Sequence, residues 1–282
     1  MRLIIVYIFI SLNCFSQAVS TDGTQLNLRD KQLFSLDDSI SGLKHLHFLN
    51  LMRNNFETFD EHLFSLKELE ILNLQENKLR IIPAAITSLK HLQSLNIADN
   101  GISKLPAEIG KLKRLQTLNV ALNSLILVDD AIGKCKALEV LELENNQLSH
   151  LPASLEKLHQ LRVLNLSYNQ FNEFDPAWTP LRNLKELNLS YNYIRRIPEE
   201  IGNMQNLQTL IINNNKLDVV PEAITRLTQL QLLIISGNNI STLPGDIGKL
   251  KQLKTLIALN NQFSAEEKER VKKALPDCKI YF

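Results

Sequence analysis

From Leu184 to Leu207 the chain reads LKELNLSYNYIRRIPEEIGNMQNL. Its apolar positions are Leu184, Leu187, Leu189, Ile194, Ile197, Ile201 and Met204, with Asn192 set among them. At Leu207 the same string begins again. Leucines open such strings at Leu46, Leu69, Leu92, Leu115, Leu138, Leu161, Leu184, Leu207, Leu230 and Leu253, always 23 residues apart. A fixed period of this length governs the reading of every shorter pattern inside it. Upstream, Leu26, Leu28, Leu33, Leu36, Ile40 and Leu43 fit a degenerate first unit, with Gly23 at the opening position and Lys31 where the asparagine stands elsewhere. That makes eleven units, the first serving as a cap.

Within a unit, Leu-x-Leu predicts a short strand whose alternate residues turn inward. One unit cannot bury that face, so units must stack, and their strands form a parallel ladder around a single continuous core. The asparagines from Asn54 to Asn261 follow each strand where the chain turns away. Their amides can serve backbone groups of the turn and of a neighbouring unit. Pro83, Pro106, Pro152, Pro198, Pro221 and Pro244 then start a returning segment. It should be extended chain with short turns or 3-10 pieces. Asp60, Asp129 and Asp175 stand where that proline is missing, and Asp129-Asp130 reads as a solvated replacement for it. Trp178 takes the slot of Ile201 and reads as a core filler.

The period stops after Phe263. SAEEKERVKKALPD predicts a terminal helix capped by Ser264, with acidic residues at its start, Lys272 and Lys273 at its end, and Val271 and Leu275 as its buried edge. Lys279–Phe282 alternates and predicts a last short strand. At the other end, Leu3–Leu12 is an uncharged apolar run after Arg2, too short to span a bilayer, with Ser16 and Ala18 placed as in a signal-peptidase site. The expected organisation is an export signal over 1–18, a capping repeat over 19–45, ten repeats over 46–263 and a terminal cap over 264–282. Cys14 sits in a poor lipoprotein box, so a membrane contact is expected only if that cysteine is lipidated.

Composition narrows function mostly by exclusion. Thirty-one basic and 30 acidic residues give a charge of +1, with no basic stripe, and aromatic residues are 6% of the chain. Nucleic-acid binding is not expected. The histidines His45, His47, His62, His91, His150 and His159 have no metal-ligand spacing. Phosphate loops and nucleophile elbows are lacking as well. We therefore expect no enzyme, no cofactor and no metal. Cys135 reads as a buried small hydrophobe, too far along the solenoid from Cys278 to pair with it. Asn165, Asn188 and Asn239 fit the glycosylation acceptor pattern, which in the first two arises from the repeated Asn-Leu-Ser.

The informative surface is the outward face of the strands. Between the two strand leucines stand Asn27, Asn50, Asn73, Asn96, Asn119, Glu142, Asn165 and Asn188, then Ile211, Ile234 and Ile257. Leu232 and Leu259 add apolar area at the same end. Stacked isoleucines facing solvent mark a contact surface, although strand propensity alone also favours isoleucine. Farther along the face, Tyr168 and Tyr191 share a column near Glu142, Glu144 and Glu186, as interface anchors with an acidic rim. Phe48 and Met52 are a smaller version near the N-terminus.

The string Leu-x-x-Leu-x-Leu-x-x-Asn-x-Leu-x-x-Leu-Pro-x-x-Ile-x-x-Leu resembles the 23-residue class of leucine-rich repeat proteins. The resemblance covers Leu46–Phe263 closely and 23–45 loosely. It implies an α/β solenoid, a horseshoe with the parallel ladder on its concave face and 3-10 or extended chain on the convex side. The tail FSAEEKERVKKALPDCKIYF is similar to the C-terminal cap of exported repeat proteins of pathogenic leptospires. That implies a secreted or surface-exposed protein binding another protein through its concave face, with host adhesion as a role. The ligand columns are then those of Tyr168, Tyr191, Ile211 and Ile234. A self-associating envelope component, with the isoleucine end as the homotypic contact, is the alternative, and an intracellular scaffold a remote one. Cysteine-paired caps and an appended ubiquitin-ligase domain, present in other branches of the family, are missing from this sequence.

Overall fold

The computed structural model describes residues 23–282; the expected export segment and Cys14 lie outside them. Among the described residues, twelve parallel strands of three residues each form one sheet whose order follows the chain, from Gln25–Asn27 to Lys279–Tyr281. Pairing is in strict repeat register: Leu26 lies beside Leu49, Leu49 beside Leu72, and so on to Leu233 beside Leu256. The final step carries one extra residue, setting Leu256 beside Ile280. Consecutive units therefore present the same inward leucine to the same layer. These residues form one uninterrupted cluster from Leu26 to Leu275, most of them without exposed surface. Burial on that scale, rather than any local propensity, holds three-residue strands in place.

The turn after each strand is closed by the asparagine. Asn192 shows the arrangement: its Oδ1 accepts the Phe171 N–H of the preceding unit (3.0 Å), and its Nδ2 donates to Leu166 O of that unit (3.0 Å) and Leu189 O of its own (3.1 Å). The same bonds recur from Asn54 to Asn261. Asn54 also accepts from the N–H of Lys31, which holds the spine position in the first unit without an amide of its own. The spine thus satisfies backbone groups that leave the ladder while still inside the protein.

The convex side returns through short 3-10 turns such as Glu199–Asn203 and Glu222–Arg226, entered from Pro198 and Pro221 in extended conformation. Where proline is missing, aspartate enters the turn differently from the solvated role its position suggests. Asp60, Asp129 and Asp175 cap the following turn, accepting the N–H two residues on at 3.0, 2.9 and 2.8 Å. Asp60 also accepts the Leu36 N–H of the preceding unit at 2.8 Å. Short acceptor side chains favour this position because the first turn's donors lack backbone partners. Trp178 fills the core of the unit entered from Asp175, with ring centroids 5.5 Å from Phe171 and 5.2 Å from Phe174. Both Cys135 and Cys278 are free. Burial pushes the Cys135 thiol up to about 11.

A single α-helix among the described residues, α1 (Ala265–Ala274), ends the solenoid. Ser264 caps it by accepting the Glu267 N–H, and Val271 is its buried contact. Glu267 stands where Asp60 stands nine periods earlier, and it does the same work: its carboxylate accepts the Leu243 N–H at 2.8 Å. Arg270 bonds that carboxylate at 2.7 Å and donates to Leu243 O at 2.7 Å. The helix thereby meets the last open layer as a further repeat would. No helix among the described residues is long and apolar enough to cross a membrane.

Candidate protein-binding face

The outward strand column has a structural duty that polarity alone does not reveal. The Oδ1 atoms of Asn50, Asn73, Asn96 and Asn119 each accept the backbone N–H two residues on, at 3.0–3.1 Å. Asn165 and Asn188 do so for Ser167 and Ser190, and also accept those serines' hydroxyls at 2.8 Å. Asparagine at this position tightens the exit from the strand, as short amides do in turns.

Isoleucine gives this up. Ile211, Ile234 and Ile257 lie side by side in adjacent strands. Ser236 is the counterpart of Ser167 and Ser190, and in its unit Ile234 replaces the asparagine that would accept its hydroxyl. Its Oγ is buried and has no hydrogen-bond partner in the protein, which among the described residues is true of only one other buried side-chain polar atom, Trp178 Nε1. The three isoleucines are half-buried, less open than a solvent-facing column implies, and the terminal strand lengthens the column by placing Tyr281, 50% exposed, beside Ile257. Leu232 flanks it half-buried, and Leu259 is 43% exposed. Tyr281 is legible in the sequence as the outward residue of an alternating tail, but only pairing assigns it to this column.

Tyr168 and Tyr191 do not sit on the strands. They occupy the turn one residue before the spine asparagine, in the left-handed region at φ 53° and 54°. The same register place is left-handed in the other units too, held by the tolerant types Asp99, Asn145, Asn214 and Gly237 but also by Arg53, Glu76 and Leu122. The left-handed turn is a property of the repeat and does not single out the tyrosines; what does is their stacking. The two rings stack with centroids 4.1 Å apart, 10° from parallel, and both are about half exposed. The neighbouring Tyr191 hydroxyl pushes the Tyr168 phenol above its ordinary value. Tyr193, which the column pattern does not single out, adds a third exposed ring on the far side of Asn192, with Lys216 Nζ 5.0 Å from its centre. The YNY string is its signal.

Glu142 and Glu186 line one shallow depression with Asn165, Asn188, Thr209 and Ile211, so the acidic residues and the isoleucine column adjoin. Glu144 is held beside it, accepting Asn165 Nδ2 at 2.6 Å. Among the described residues none of the three carboxylates has a salt-bridge partner. Burial first, then the like charges of Glu144 and Glu186, hold the Glu142 carboxyl above the usual carboxylate range, against the pull of the nearby Asn165 amide. Phe48 and Met52 are half-buried at the opposite end and do not join this surface.

The upward shift at Glu142 has a consequence for stability. A carboxyl that binds its proton more tightly folded than unfolded destabilises the fold at any pH where it is ionised. Glu142→Gln should therefore raise stability at pH 7 modestly, since the group is only partly buried. The gain should vanish below the ordinary carboxylate range. Urea midpoints at neutral and acid pH check this, and a lower midpoint for the variant at pH 7 would contradict it.

A leucine-rich repeat region model matches residues 57–177 and 177–275. A search of curated protein sequences gave no match. Among solved structures, a leucine-rich repeat protein of Leptospira interrogans is 30% identical, covering 97% of this chain and 86% of that one, with a TM-score of 0.67. The functional domain of the Listeria monocytogenes protein InlJ is 27% identical over 85% of this chain and 49% of its own, with a TM-score of 0.73. A plant peptide hormone receptor, RGFR1 in complex with RGF2, is 26% identical over 80% of this chain and 42% of its own, at 0.63. Bacterial and plant structures alike share the stacked fold, and with the repeat model running through most of it, the chain belongs to the leucine-rich repeat family.

Proposed function

We propose that this chain is an exported protein-binding module that engages its partner on the concave face, at the end formed by Ile211, Ile234 and Ile257 with Leu232, Leu259 and Tyr281. The observation that carries the reading is the replacement of a structurally useful asparagine by isoleucine in three successive units, which leaves Ser236 Oγ unpartnered. Apolar area kept against the needs of the local turn points to a use outside the fold. The stacked, half-exposed tyrosine pair extends the footprint toward the middle of the chain. Export is supported by the apolar run at the N-terminus and by the likeness to bacterial repeat proteins, and adhesion to a host protein is the role this placement suits. The mature protein should begin at Val19, read from its mass after cell fractionation.

The double change Ile211→Asn, Ile234→Asn separates contact from fold. Truncating central apolar anchors of an interface weakens binding by about 2 kcal/mol or more, which is roughly thirtyfold. Pull-down of a partner by the parent and not by the variant, with unchanged circular dichroism, is the expected result. The open end of the column at Tyr281 favours self-association as a second reading. It predicts a concentration-dependent mass in sedimentation that the same double change abolishes. Identical behaviour of parent and variant in both experiments would refute the face as a contact site.

A further inference from the structure

We infer that the partner presents an extended segment with a basic side chain and an apolar side chain about four residues apart, the first over Glu142 and Glu186, the second over Ile234. This rests on the concave reading above and specifies its chemistry. The apolar column fixes one anchor. The other follows from charge complementarity across the same surface: Glu142 and Glu186 line the depression that ends at Ile211 and Glu144 stands beside it, and among the described residues none of the three is in a salt bridge. Glu142 is held there against burial and the like charges of its neighbours. A guanidinium or ammonium group entering the depression would relieve that repulsion, while an acidic partner would meet it.

The spacing comes from the ladder. The carboxylates span the strands of Val140–Glu142 and Glu186–Asn188, and Ile234 closes the strand Leu232–Ile234. From the middle of the acidic group to Ile234 is three strand steps, about 14 Å at the usual inter-strand distance. Four residues of extended chain cover about 13 Å and return the side chain to the same face. The segment therefore crosses the strands rather than running along one.

Synthetic twelve-residue serine- and threonine-rich peptides test this, carrying Arg and Leu at positions i and i+4 in either order. Fluorescence anisotropy against the full chain should show the Arg–Leu peptide binding at least about tenfold tighter than the Glu–Leu peptide. Glu142→Gln with Glu186→Gln should erase that difference, and Ile234→Asn should weaken both peptides. Equal binding of Arg–Leu and Glu–Leu peptides that remains sensitive to Ile234→Asn would overturn the basic anchor and leave the concave reading standing. Binding indifferent to Ile234→Asn would overturn both. No binding of any peptide by a chain that still captures its partner through the isoleucine column would overturn the extended-segment form.

Discussion

Gly133→Val should lower the unfolding temperature sharply. A Cβ at Gly133 would lie 2.4 Å from Ser154 O and 2.7 Å from Ser154 Cβ in the next unit. The first of these is a backbone atom, so no rotamer change can relieve the clash. The convex turns Asp130–Lys134 and Ala153–Lys157 would have to part, and stacking between units is what stabilises a solenoid. Overpacking a dense interior is destabilising by about 1–3 kcal/mol or more. For a backbone clash we expect the upper end, about 3 kcal/mol, a fall of roughly 5 °C in Tm for a chain of this length. Differential scanning calorimetry reads it. A midpoint within about a degree of the parent would show that the turns are not packed as described.

Asn169→Ala should cost a comparable amount by a different route. Asn169 is buried, accepts the Leu148 N–H at 3.0 Å, and donates to Leu143 O at 2.9 Å and Leu166 O at 3.2 Å. Its loss leaves a donor in one unit and carbonyls in two without their partner, each in a place water reaches poorly. A buried group left unmade costs about 1–3 kcal/mol. Carbonyls retain some other bonding, so the expected total is about 3 kcal/mol rather than the full sum. Because the asparagine ties two units, amides around Leu148 and Phe171 should also exchange faster with solvent. An unchanged denaturant midpoint would remove the spine from the stabilising interactions.

How much of this is legible in the sequence follows from what a repeat makes visible. Leu184, Asn192 and Pro198 recur in phase, so the inward layer, the pinned turn and the convex return can be read from spacing alone. The aspartates show the limit. Asp129 in a proline position says only that proline is missing, and capping depends on φ and ψ that the register does not spell out. Tyr168 and Tyr191 are legible as a column, but spacing alone puts them on the strand face. Their offset from the leucines carries them past the ladder, where the backbone turns left-handed. Glu142 and Ile211 come from units far apart in sequence, and only stacking brings them to one depression.

The isoleucine column is the part of the candidate site whose meaning changes most between sequence and structure. As a sequence feature, three isoleucines on a strand face are compatible with propensity alone. In the fold they occupy a position whose asparagines accept a backbone N–H, and Ser236 shows what is lost when they do not.

Thermal unfolding of Ile234→Asn tests a contact role for that column without knowledge of any partner. If isoleucine serves a contact beyond the chain, the asparagine restores an acceptor for the Ser236 hydroxyl and stability stays level or rises, by up to about 1 kcal/mol. If isoleucine serves the fold, the variant loses apolar packing and the midpoint drops by a similar amount or more. We expect the midpoint to hold or rise, and a clear drop would contradict the proposed use of this face.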